Sequence, residues 1–111
     1  MLVDIGFMAL TAGRLDEATD IFNGVAAARP GEEAGPLGLA LVRMATGDLP
    51  AATAILKGLP PSDAALTYLG IALARQGDRN AARRALAAVA AMPPDNAFAG
   101  LAGSAMTEFG L

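Results

Sequence analysis

The sequence contains neither cysteine nor histidine. Their absence excludes disulfides, Cys/His zinc sites, a thiol nucleophile and an imidazole base. Serine occurs only at Ser62 and Ser104, and without an imidazole partner neither can belong to a hydrolase triad. No glycine-rich phosphate loop is present: the string GPLGLALVRMATG lacks the Gly-Lys-Ser/Thr ending and a preceding strand. Asp16, Glu17 and Asp20 cluster in the opening turns of a helix, where acids partner the helix dipole and form a solvated face rather than a metal site. No enzyme activity, metal or cofactor is expected.

A surplus of positive charge is also missing. The formal net charge is −3, which argues against a phosphate backbone as the main partner. Although 54% of the residues are hydrophobic, the longest uncharged stretch runs only from Asn96 to Thr107. A bilayer span needs about 20 apolar residues, so no membrane insertion is expected. The opening MLVDIGFMALTAG carries Asp4 where a signal peptide would be positive, and it reads as mature structure in a reducing cytoplasm.

What is present is a repeat. GRLDEA at 13–18, GDLPAA at 47–52 and GDRNAA at 77–82 align on Gly13, Gly47 and Gly77, spaced by 34 and then 30 residues. Each glycine separates two helix-forming runs, where a corner demands positive φ. Asp48 and Asp78 follow their corners and are placed to cap the next helix, whereas Arg14 breaks the pattern and leaves Asp16 as the expected cap there. Proline closes each second helix, at Pro30, Pro60-Pro61 and Pro93-Pro94. The pattern predicts helices over 2–12, 15–29, 34–46, 49–58, 63–76, 79–91 and 95–109.

Small residues stand seven before each corner (Gly6, Ala40, Gly70) and alanine five after it (Ala18, Ala52, Ala82). Both belong where paired helices cross. Phe22, Leu56 and Leu86, nine after the corner, then fill the space between successive hairpins. The expected fold is an all-α solenoid forming a single domain over 1–111, with repeats at about 1–32, 33–62 and 63–94 and a capping helix at 95–109.

These positions resemble the tetratricopeptide repeat over residues 2–94: a small residue in the first helix, Gly-Asp at the corner, alanine and a large apolar residue in the second helix, and a closing proline. The departures are a short second unit, Ala40 in place of the usual glycine, and Leu2, Pro36 and Leu66 at positions commonly aromatic. Among small proteins of this kind the chain is most similar to the three-repeat chaperones of bacterial type III secretion systems, with DIGFMALTAGRLDEATDIFNGVAAARPGE carrying the strongest likeness. That resemblance implies a bacterial cytoplasmic protein that holds a secreted or needle component, often in a hetero-oligomer with a co-chaperone.

Counting from the corners, the first helices turn Val3, Phe7 and Leu10, then Leu37, Leu41 and Met44, then Thr67, Ile71 and Ala74 towards the concave side. This nearly all-apolar wall is either a slot for an amphipathic client helix or a surface covered by the chain's own cap. Leu41 and Ile71 stand where tetratricopeptide domains that grip a C-terminal carboxylate carry polar residues, which counts against such a tail as ligand. Arg75, Arg79, Arg83 and Arg84 supply four of the eight cationic residues. They form either a solvated face or a docking patch for an acidic partner. Residues 1–37 hold six acids against Arg14 and Arg29, so self-association of copies through acidic and basic ends is the alternative to client binding.

Overall fold

Glycine corners divide the chain into short helices. The computed structural model describes residues 2–111, apart from the side chains of residues 2, 3, 4, 7 and 11. Its helices are α1 (Leu2–Thr11), α2 (Leu15–Ala28), α3 (Ala34–Ala45), α4 (Leu49–Lys57), α5 (Asp63–Arg75), α6 (Arg79–Ala90) and α7 (Ala99–Phe109), with no strand among the described residues. The chain falls into two compact units, Met1–Leu59 and Pro60–Leu111. In the first, α1 pairs with α2, α3 packs on α2 and α1, and α4 pairs with α3. In the second, α5 pairs with α6, and α7 packs on α6 and α5.

The corners repeat one geometry. Gly13, Gly47 and Gly77 have φ of 77°, 82° and 87°. The amide after each reaches back to the carbonyl five residues earlier: Arg14 to Ala9 at 2.8 Å, Asp48 to Arg43 at 2.9 Å and Asp78 to Leu73 at 3.0 Å. This closing pattern satisfies carbonyls that the helix end leaves open. Asp48 and Asp78 then cap α4 and α6, accepting from the amides of Ala51 and Ala81 at 3.3 Å each. Ser62 caps α5 through Ala65 N at 3.1 Å.

Two expectations need correction. Arg14 occupies the N-cap of α2 without a side-chain cap bond, so Asp16 is a first-turn acid instead of the cap. The last helix begins at Ala99 rather than at residue 95. Asn96 is responsible, because its side-chain oxygen accepts from Phe98 N at 2.9 Å and its own amide donates to Pro93 O at 2.9 Å, which holds this stretch in a turn.

Packing follows from size complementarity. Ala18, Ala40, Ala52 and Ala82 are wholly buried, as are Phe22 and Leu86, and Leu56 nearly so. The Phe22 ring lies between α1 and α3: a Cβ at Gly6 would come within 2.8 Å of it, and one at Gly38 within 2.1 Å. Leu86 meets Gly70 in the same way, at 2.4 Å from such a Cβ. Gly35 approaches the backbone of Ala26 closely enough that a Cβ would stand 2.6 Å from its nitrogen. The buried hydroxyls of Thr53 and Thr67 donate to Pro50 O at 3.0 Å and Asp63 O at 2.7 Å.

The two helical glycines Gly38 and Gly24 give opposite predictions. Alanine at an open helical site gains about 0.5–1 kcal/mol, and Gly24 has nothing within 4 Å of an added Cβ. Gly24→Ala should therefore raise stability in urea titration. At Gly38 the added methyl meets the base of a buried ring, so Gly38→Ala should lower stability by about 1–3 kcal/mol despite the same propensity gain.

Candidate protein-binding surface

Helix periodicity decides which inner-wall residues remain accessible. At 100° per residue, positions ten and three before each corner lie within about 60° of the buried small residue at position seven, whereas position six stands about 100° away. Burial follows that geometry at position ten and at Met44, whereas Leu10 and Ala74, also three before their corners, are half-buried. Leu37 and Met44 are buried in α3, and Thr67 is fully buried in α5. These three are not open contact residues, which corrects their expected place in the wall. Leu41 and Ile71, six before their corners, are half-buried. Leu10 is half-buried against the cluster of Ala9, Ala18, Phe22 and Val42. Val3 and Phe7 also belong to the expected wall, but their side chains lie outside the described residues.

In the first unit, the half-buried residues of α3 are Ala34, Pro36, Leu39 and Leu41, all apolar, and Arg43 is the one charged side chain of that helix. In the second unit, Leu66, Tyr68, Leu69, Ile71 and Ala74 are half-buried on α5, which carries charge only at its ends, on Asp63 and Arg75. Ile71 also packs against the cluster of Leu86, Val89, Ala102 and Ala105, to which α6 and α7 both contribute.

The last helix does not simply lie over this surface. It sits on α6 and α5 as α3 sits on α2 and α1. It also ends in the same corner, with Gly110 at φ 67° and Leu111 N donating to Met106 O at 2.8 Å. Gly103, seven before that corner, repeats the small-residue position of Gly6, Ala40 and Gly70. Thus α7 has the form of a first helix.

Polar ties at both ends hold α7, and sequence reasoning missed them. Asn96 Nδ2 donates to Asp63 Oδ2 at 2.9 Å, and Phe98 meets Tyr68 edge-on with centroids 6.1 Å apart. At the other end, the Arg79 guanidinium donates to the carbonyls of Phe109 at 2.8 Å and Gly110 at 2.5 Å. A cation in the first turn of α6 opposes that helix's dipole but suits the C-terminal end of α7. The Gly-Leu ending could have marked the corner; ties spanning about thirty residues left no local signal.

Arg79, though exposed, therefore ties α6 to the end of α7, whereas Arg75, Arg83 and Arg84, also exposed, make no ion pair among the described residues. Those residues form two ion pairs, Arg14–Glu17 at 3.7 Å and Arg29–Glu32 at 3.6 Å. Beside the first lies an open hollow of about 360 Å³ lined by Ile5, Met8, Ala9, Ala12, Arg14, Glu17 and Ile21. The described residues include no group of acids suited to a metal ion and no helix long and apolar enough to cross a membrane.

Removal of the Arg79 side chain tests the tie. Arg79→Ala should speed amide exchange of Gly110 and Leu111 about fivefold, equivalent to about 1 kcal/mol for an exposed charge-assisted contact. Arg83→Ala should leave that exchange unchanged.

Residues 9–65 match the family model described as the tetratricopeptide repeat. No curated protein and no solved structure matches the chain.

Proposed function

The chain belongs to the tetratricopeptide repeat family, a non-catalytic helical scaffold for protein interaction, and from this premise we propose that it is a client-binding chaperone. Its client presents an apolar face of an amphipathic helix. The supporting observation is the uncharged, partly accessible surface of α3 around Leu41 and, within its own unit, that of α5 around Ile71. Apolar area of this kind is stabilised by removal from water at about 25 cal/mol per Å², and it offers a charged peptide tail nothing to pair with.

The more specific reading is a bacterial cytoplasmic chaperone of a type III secretion system, masking a secreted or needle component before export. It rests on the sequence resemblance alone. A client held this way stays bound in high salt, because apolar burial is not screened. Co-purification from the native organism, with the proteins retained at about 0.5 M salt identified, tests the reading directly. Retention of no secretion component would remove it.

Two substitutions test the surface itself. Leu41→Glu would strand a carboxylate in a desolvated contact, and it should weaken client binding at least about tenfold with helical content unchanged. Ala45→Glu, one turn along α3 and exposed, perturbs the fold less and should weaken binding in the same direction. Full affinity in both variants would place the client elsewhere.

A further inference from the structure

The four exposed large apolar side chains among the described residues belong to the beginning and the end of the chain: Ile5 and Met8 on α1, and Met92 and Leu101 before and within α7. Position within the repeat shows that the exposure on α1 is specific. Five residues before their corners, Val42, Ala72 and Ala105 are 3%, 0% and 4% exposed, whereas Met8 at the same position is 69% exposed. Val42 packs on Ala9, Ala18 and Phe22 of the preceding hairpin. Met8 instead lines the open 360 Å³ hollow with Ile5 and Ile21. The α1–α2 face thus has the register of a packing surface and no covering helix among the described residues.

Charge selects what could cover it. Glu17 lines the hollow, and Asp16 and Asp20 are exposed on the same helix without ion pairs among the described residues. The complementary surface is in the second unit, where Arg83 and Arg84 are exposed on α6 without ion pairs among the described residues, and α7, tied to α6 through Arg79, carries exposed Leu101. We propose that the α1–α2 face receives the α6–α7 end of a second copy of this chain. Leu101 supplies the apolar half of the contact and Arg83 and Arg84 face Asp16 and Asp20. Exposed ion pairs are weak one by one, so the charges set partner and register while the hollow supplies the apolar contact. Because the two surfaces differ, the contact is heterologous. This inference is independent of client binding on α3 and α5.

Sedimentation velocity of the full chain over a concentration series supplies the test. Mass should rise with concentration at low salt and fall towards the monomer at about 0.5 M salt. Asp16→Lys with Asp20→Lys in one variant, and Arg83→Glu with Arg84→Glu in another, should each weaken association about tenfold or more. An equimolar mixture of the two restores complementary charges and should recover association to within about twofold of the wild type. Met8→Ser should also weaken it, through the hollow, without altering the charge of either surface. A wild type that stays monomeric throughout would overturn the proposal, as would a mixture that stays dissociated or an association indifferent to charge reversal. Indifference would identify an apolar contact of another geometry.

Discussion

A large side chain on each second helix needs a neighbour without one. The Phe22 ring occupies volume that any Cβ at Gly6 or Gly38 would invade, and Leu86 makes the same demand on Gly70. This requirement pairs the helices at close range, and close range in turn buries the alanines at the crossings. Phe22 also joins elements of two hairpins, so one residue sets both the spacing within the first hairpin and the seat of α3 upon it. Neither hairpin could bury its apolar face alone.

The proposed interaction surface is what this packing leaves over. Positions near the small residue are drawn inward, and positions a hundred degrees around the helix stay partly accessible, which separates Leu41 and Ile71 from Leu37, Met44 and Thr67. Charge is largely absent from these accessible faces and collects on the second helices, acidic on α2 and basic on α6. The accessible residues of α3 and α5 are therefore mainly apolar, and α2 and α6 carry much of the charge. Family membership points to a protein-interaction module.

The fold was legible because its determinants are local. Glycine at a corner, aspartate after it and proline at a helix end each act within a few residues, and all three corners form where the motif places them. Alanine and leucine at fixed offsets from Gly47 and Gly77 likewise mark the core. The candidate surface was less legible because alternation between inner wall and interior turns on tens of degrees, and an apolar residue looks the same in either place. Thr67 illustrates the difficulty: its hydroxyl satisfies itself on Asp63 O and can be buried without cost to the count of unpaired groups. Asn96 and Arg79 were illegible for a different reason, since their partners are distant along the chain.

The buried residues of α7 are Ala99, Ala102 and Ala105. Alanine has no rotamers to surrender, so these three positions lose no side-chain freedom when the helix is seated, and such loss falls instead on the half-buried Met106 and Phe109. The directional bonds from Asn96 and Arg79 lie at its two ends, outside that alanine seam. Such a helix can be retuned by editing its fastenings, with the interior left as it is.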